Sequence, residues 1–428
     1  MNIRFYNARI LSMVEQQDIF MGEVWVQDER ITYVGTAKTD VEVKAVKWDR
    51  EIDALGNVLM PGFKNAHTHS AMVAMRSLAD DLPLLEWLEQ QIFPLEAKLT
   101  GQDVYELTKL GIMEYLTSGI TSIFEMYLEP EHVAKACEDT GMRIVQTSGI
   151  NKFGPAIEVL EERFHKLNAG HPLSSFVLGF HAEYTCSKEL LEQIAAMAHK
   201  YKAPIFTHNS ETAEEVAGCV ERYGMTPTVF LDSLGMFDYG GGGYHCVHMT
   251  DEDIAVFKKH HMSVVTNPGS NTKLASGIAP IQKFMDAGIN IAIGTDGPSS
   301  NNCLDMFREM FLVTGLAKLK GKDASAVDAI EVLKMATVGG AKAMGLNDCD
   351  VLAEGKLADM IMIDLHQPNM QPLNNIAKNI VYSGSKQNIK MTMIHGKIVY
   401  ENGTYNIGVE PEEVYEQANR IIERIRIS

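Results

Sequence analysis

The sequence has no C-x-x-C pair, no apolar run of membrane-spanning length and no excess of positive charge. Its six cysteines (Cys137, Cys186, Cys219, Cys246, Cys303, Cys349) are scattered, which argues against a disulfide framework and for reduced thiols. A helix crossing a bilayer needs about 20 consecutive apolar residues, and no stretch approaches that. The opening residues, MNIRFYNARI, carry neither the basic region nor the apolar stretch of a secretion signal. A cytoplasmic protein is expected. Lys and Arg number 38 against 56 Asp and Glu, a formal charge of −18. Such a balance repels phosphate backbones and anionic headgroups, so neither nucleic acid nor a membrane surface is expected as partner. Internal repeats, low-complexity tracts and charged tails are absent too.

What is present is length and alternation. The 428 residues suffice for a barrel of about 250 residues with a smaller domain beside it. Near the N-terminus, NIRFYNARI, GEVWVQDERITYVG and VKWDREIDA alternate polar and apolar residues and are rich in β-branched ones. VLAEGKLADMIMIDL and MTMIHGKIVYENGTY repeat that character near the other end. Between them, short apolar runs alternate with longer helical stretches, the pattern of βα units around a parallel sheet. Eight candidate strands can be read: NVLMPGFKNAHTH, GITSIFEMY, MRIVQTSGI, SFVLGFHAEY, APIFTHNS, GGYHCVH, SVVTNPGSN and INIAIGTDG. The expected fold is therefore α/β, a (β/α)8 TIM-like barrel with a small β-sandwich domain formed by both chain ends. The sandwich takes residues 1–56 and 350–405, the barrel 57–349. A C-terminal helix over 406–428 has one apolar face and is expected to pack on its own barrel. SKELLEQIAAMAHKY shows helical apolar spacing behind an N-cap at Ser187.

On those strands, His67 and His69 end the first, Glu125 the second and His208 the fifth, and Asp296 ends the eighth. His181 lies in the fourth and His245 in the sixth. All strands of a parallel barrel point one way, so these ends converge on one face. Residues two apart on an extended strand point the same way, so His67-Thr68-His69 presents two imidazoles together. His208 adds a third nitrogen and Asp296 an oxygen. This set suits one divalent metal, zinc first with iron or manganese as alternatives, held with a position left for water. Glu211 follows His208 by three residues and is read as a proton carrier beside the metal; the competing reading is a carboxylate favoured by a helix N-terminus. His165, His199, His260 and His366 are read as surface or hydrogen-bonded histidines. The glycines from Gly240 to Gly243 precede a strand instead of a helix, so they are read as a flexible loop and not a phosphate cradle. Ser299 and Ser300 lack the pattern around a serine nucleophile. Cys246 and Cys303 are read as buried fillers near the site.

These residues in this order resemble the amidohydrolase superfamily, and in particular its branch of adenosine-type nucleoside deaminases. The resemblance runs through NAHTHSAMVAMRSLADDLPLLEWLEQQIFPLEAKLT, THNSETAEE, HCVHMTDED, NPGSNTKLASGIAPI and IGTDGPSSNN. It implies one metal on His67, His69, His208 and Asp296, an acid/base role for Glu211, and a place beside the reacting water for His245. The fourth strand has His181 and no lysine, which fits one metal in place of two. Trp87 and Glu96 would flank the nucleoside, Glu96 on the ribose hydroxyls; His181, Glu211 and Ser300 would be further substrate contacts. The reaction implied is hydrolytic release of ammonia from the adenine ring of an adenosine derivative: 5′-methylthioadenosine, S-adenosylhomocysteine, adenosine or 5′-deoxyadenosine. A homo-oligomer is expected from the resemblance alone. Two departures bear on the pocket around the ribose substituent: TSGINKF has no arginine, only Lys152, and Glu183 stands where a proline is common. The alternatives are a guanine or pterin deaminase, a triazine-type chlorohydrolase, amide hydrolysis on the same scaffold, or a metal-free barrel that only binds.

Overall fold

The computed structural model describes residues 1–427 apart from 79 and 83, and excepting the side chains of 84 and 85. Residue 428, at the end of the expected C-terminal helix, lies outside the described residues. The chain begins with β1 (Asn2–Ile10), β2 (Phe20–Gln27), β3 (Arg30–Gly35), β4 (Arg50–Asp53) and β5 (Val58–Pro61). The next eight strands are β6 (Phe63–Thr68), β7 (Ile120–Met126), β8 (Arg143–Thr147), β9 (Ser174–Ala182), β10 (Ile205–Asn209), β11 (Gly241–His245), β12 (Ser263–Thr266) and β13 (Asn290–Ile293). β14 (Met360–Ile363), β15 (Ile389–Ile394), β16 (Lys397–Glu401) and β17 (Thr404–Tyr405) complete the set.

β6 to β13 form an eight-stranded sheet in strict sequence order, every paired neighbour parallel. Beyond β13 the chain meets β6 again: the Asp296 N–H donates to His67 O at 3.0 Å, and the Thr295 N–H to Asn65 Oδ1 at 2.8 Å. The first and eighth strand ends are thereby brought together. β7, β8 and β10 are buried along their whole length, as expected of parallel strands covered on both faces. Ser187 caps the helix Lys188–Tyr201 by accepting from Leu190 N.

Strands from both chain ends share one nine-stranded sheet, ordered β17-β16-β15-β14-β5-β1-β2-β3 with β4 on β1. Alternate residues Ile3, Phe5, Ile10, Val24, Val26, Met360, Met362, Met391 and Met393 pack into its separate apolar cluster. The stretch NVLMPGFKNAHTH, read as one barrel strand, is two strands. β5 pairs with β1 and β14, and only β6 enters the barrel. Both halves are buried along their whole length and only Gly62 stands between them, so the pattern gave no reason to break them there. A buried ion pair, Arg143 to Asp359 at 2.6 and 2.9 Å, ties β8 to the segment before β14. The helix Pro411–Ile427 buries Val414, Ala418, Ile421 and Ile425. Among the described residues no helix is long and apolar enough to cross a membrane.

The glycine run is not a flexible loop. Gly241, Gly242 and Gly243 are residues of β11, paired with Ile205, Phe206 and Thr207 of β10. At Gly241, with φ of +132°, a Cβ would stand 1.9 Å from Ile205 O. At Gly241 the backbone of the neighbouring strand leaves no room for a side chain, and at Gly242 and Gly243 the Phe206 and Cys246 side chains take that space.

Candidate functional site

His67 lies near the end of β6, and His69 one residue beyond that strand. His208 lies near the end of β10, His245 is the last residue of β11, and Asp296 follows β13 by three residues. Ligand atoms of His67, His208, His245 and Asp296 all lie within 4.8 Å of one another, and all four residues are buried. His69 Nε2 stands 3.1 Å from Asp296 Oδ1, so five groups converge. The backbone is bent to achieve this. Asp296 (φ +59°), His245 (+67°) and Cys246 (+50°) adopt left-handed conformations, which non-glycine residues hold only where surrounding structure enforces them. At Gly294 a Cβ would sit 2.8 Å from His67 Cβ, so a larger residue there would push β6 away.

Outer partners aim three of the rings. His208 Nδ1 donates to His181 O at 2.7 Å, His69 Nδ1 donates to Met126 O, and His245 Nδ1 meets Asn271 Oδ1 at 2.7 Å. Ser270 and Ser300 both donate to Asp296 Oδ2, at 2.6 and 2.9 Å, which leaves Oδ1 toward the imidazoles. Neither nitrogen of the fully buried His67 has a hydrogen-bond partner, and an unmet buried polar group costs about 1–3 kcal/mol. Burial lowers His67 to about 3 and His181 to about 4. Burial and the surrounding imidazoles hold His208 well below its usual value. Burial opposes ionisation of Asp296 as well, yet His67 and His69 keep it well below the usual carboxylate range. Burial also acts to lower His69, but Asp296 and Glu125 raise it to about 9. His67 and His208, held neutral beside an ionised Asp296, are donors a divalent cation requires, and His69 would give up its proton to a bound ion. The residues fit a metal.

One cavity of about 520 Å³ reaches this cluster, and Trp87, Glu96, His181, Glu211, His245 and Ser300 all line it. Glu211 is buried, which raises its carboxyl; Ser276 Oγ donates to Oε1 at 3.3 Å, and His245 Nδ1 lies 3.7 Å from the same oxygen. Glu96 is pushed up to about 7 by burial, tempered by the Tyr127 hydroxyl. The four histidines read as incidental have other partners. His165 meets Tyr201, His199 meets Gly235 O, His260 meets Asp232 and His366 meets Leu55 O.

Sequence reasoning passed over Ser270 and Asn271. Both follow β12, so the rule that selected the other strand ends applies to them equally. Arg163 was missed as well. It lines the cavity from the helix Ile157–Asn168 with its Nε 3.2 Å from Glu131 Oε1, a placement no strand-end rule reaches. Glu183 does not line the cavity. It is buried and pairs with Arg222 of the helix Ala213–Tyr223, because its strand has already turned aside there. Cys246 is fully buried, but Cys303 is only partly so.

A model of the amidohydrolase family matches residues 58–399. The chain belongs to that family. It is 39% identical over 428 residues to the 5-methylthioadenosine/S-adenosylhomocysteine deaminase of Caldanaerobacter subterraneus subsp. tengcongensis, covering 98% of each chain. It is 37% identical over 404 residues to the 5′-deoxyadenosine deaminase of Methanothermobacter thermautotrophicus, covering 93% of each chain. A crystal structure of an adenosine deaminase from Xanthomonas campestris with bound zinc superposes with a TM-score of 0.93 at 31% identity, covering 100% of this chain and 99% of that one. Atrazine chlorohydrolase TrzN from Arthrobacter aurescens, at 22% identity and a TM-score of 0.88, shares the fold.

A buried carboxylate behind the site offers a pH test. Glu309 accepts from Gly269 N and Asn301 Nδ2, both at 2.8 Å, and so ties together the loops bearing Ser270 and Ser300. Burial raises its carboxyl from 4.5 to about 8, against those two bonds. The unfolded chain ionises this group near 4.5 and the folded chain near 8. Between those values folding takes up a proton, and stability falls as pH rises. Glu309→Gln lacks this slope. Its thermal midpoint should therefore rise relative to the parent as pH climbs through that window; an offset independent of pH would refute the buried ionisation.

Proposed function

We propose that this chain is a metal-dependent deaminase releasing ammonia from the adenine ring of a 5′-substituted adenosine. 5′-Methylthioadenosine, S-adenosylhomocysteine, adenosine and 5′-deoxyadenosine are its candidate substrates. The observation that carries this reading is the shared cavity, where Glu211, His245 and Asp296 face Trp87 and Glu96. Relatives with deaminase names over nearly the full length support the same reaction.

His67, His69, His208 and Asp296 would hold one divalent ion, zinc by analogy with the Xanthomonas structure. When bound, it supplies Lewis-acid activation of water. Asp296, fixed through Oδ2 by two serine hydroxyls, takes the proton that the attacking water loses. Glu211 gives its proton to the ring nitrogen next to the amine-bearing carbon, a role suited to a carboxyl raised by burial. His245, held by Asn271, orients the water and stabilises charge on the tetrahedral carbon's oxygen. The proton taken by Asp296 passes to the exocyclic nitrogen, and the hydroxyl proton of the adduct returns to Glu211 as ammonia leaves and the ring carbonyl forms. Trp87 covers the nucleoside, Glu96 accepts from the ribose hydroxyls, and His181 completes the ring's surroundings. Arg163 at the cavity wall supplies a cation for a substituent bearing a carboxylate.

Ammonia release should be measured across 5′-methylthioadenosine, S-adenosylhomocysteine, 5′-deoxyadenosine, adenosine, guanine and cytosine. The adenosine derivatives should turn over with the highest kcat/KM. Ammonia from guanine alone would transfer the assignment to a free-base deaminase.

A further inference from the structure

A second buried glutamate stands directly behind Glu211. The segment Thr212-Ala213-Glu214-Glu215 has the form of a capping box, in which the fourth residue's side chain returns to the N-cap backbone N–H. Half of that box forms: Thr212 caps the helix Ala213–Tyr223 by accepting from Glu215 N at 3.1 Å. The other half does not. The Glu215 carboxylate reaches past the N-cap to two residues upstream, accepting from Ser210 N at 3.0 Å through Oε1 and from Glu211 N at 2.7 Å through Oε2.

This arrangement is costly unless it does something. Glu215 is 7% exposed, and burying a carboxylate is unfavourable without compensating bonds. An exposed cap would serve the helix as well. Ser210 explains the need, because it holds φ at +53°, a conformation a serine does not keep unaided. Ser210 O in turn accepts from Val247 N at 3.1 Å and His248 N at 2.9 Å, just past His245. The turn between His208 and Glu211 is thus clamped on its N–H side by Glu215 and on its C=O side by the loop after β11. The position of the Glu211 side chain follows from that turn.

We propose that Glu215 is a positioning residue for Glu211, holding the Ser210–Glu211 turn so that the Glu211 carboxyl is presented to the substrate ring. This rests on the reading of Glu211 as the proton carrier. Glu215 touches neither the ring nor the reacting water, so it acts only through Glu211.

A double-mutant cycle on the metal-loaded enzyme tests this. Glu215→Gln keeps the size of the side chain but offers an amide nitrogen to one of the two N–H groups. It should lower kcat about tenfold or more, with KM within about threefold and metal content unchanged. Adding it to Glu211→Gln should cost less than about twofold further, since the group being positioned has already lost its proton. Ser210→Gly, which adopts positive φ freely, should return part of the turnover to Glu215→Gln. Multiplying losses in the double variant, a defect confined to KM or metal content, or full activity in Glu215→Gln would each overturn the proposal. If Glu215→Gln does not fold, Glu215→Asp, with its carboxylate drawn back by one methylene, enters the same cycle with the same criteria. Full activity in Glu211→Gln alone would instead remove the role of Glu211, a separate outcome.

Discussion

Glu211→Gln should lower kcat by about 10²–10⁴-fold, the range supplied by general acid–base catalysis, while the purified protein keeps its metal. The substitution is nearly isosteric, so the buried space under His245 stays filled. Ser276 Oγ, now 3.3 Å from Oε1, still finds an acceptor in the amide oxygen. What disappears is a transferable proton. Burial raises the Glu211 carboxyl, so the parent keeps its proton to higher pH than a solvated carboxylate and has it available when the ring nitrogen needs it. Glutamine at that position can donate a hydrogen bond but not release the proton. Because the cavity lining at Trp87, Glu96 and His181 is untouched, KM should change far less than kcat. Steady-state kinetics with elemental analysis of the same preparation checks this. A variant with parental turnover would remove Glu211 from the reaction, and loss of metal along with activity would make it a ligand.

Asp296→Asn should strip both metal and activity. The side chain keeps its shape, and its oxygen can still accept from Ser270 and Ser300, which meet Oδ2 at 2.6 and 2.9 Å. The lost element is the only carboxylate charge of the four-residue cluster. His67 and His208 are held neutral chiefly by burial, so the variant leaves imidazoles around an ion with no anionic counterpart. Removing an outer-sphere partner already costs about 10–100-fold in metal affinity or activity, and removing a ligand should exceed that. Asp296 is also the proposed proton acceptor, so metal added in excess should restore occupancy without restoring turnover. Metal content after dialysis, and kcat with and without added ion, are the readouts. A variant that stays fully loaded and active would place the ion elsewhere.

How much of this was legible in the sequence depended on the range of the interactions. The barrel strands were readable from short apolar runs, and Trp87, Glu96, His181, Glu211, His245 and Ser300 could be picked out and indeed line one cavity. β5 and β6 were read as one strand because two extended segments joined at Gly62 are told apart by what they pair with. Gly241 to Gly243 looked flexible because composition cannot show that neighbouring backbone and side chains occupy the place of their own side chains. Arg163 was not singled out at all, and Glu183 was expected near a pocket that it does not line. The arginine is carried to the cavity by a helix, and the glutamate is drawn off to Arg222.

The sequence by itself determined which chemistry the chain could carry: residue types near strand ends are written locally, and parallel strands all deliver their ends to one face. Only the tertiary structure decided how those groups are aimed. The Asp296 N–H to His67 O bond, the hydroxyls of Ser270 and Ser300, and the reach of Glu215 past its own helix cap join residues distant in the chain or set against the expected local pattern. Such contacts come into being when the barrel closes, and no periodicity along the chain encodes them.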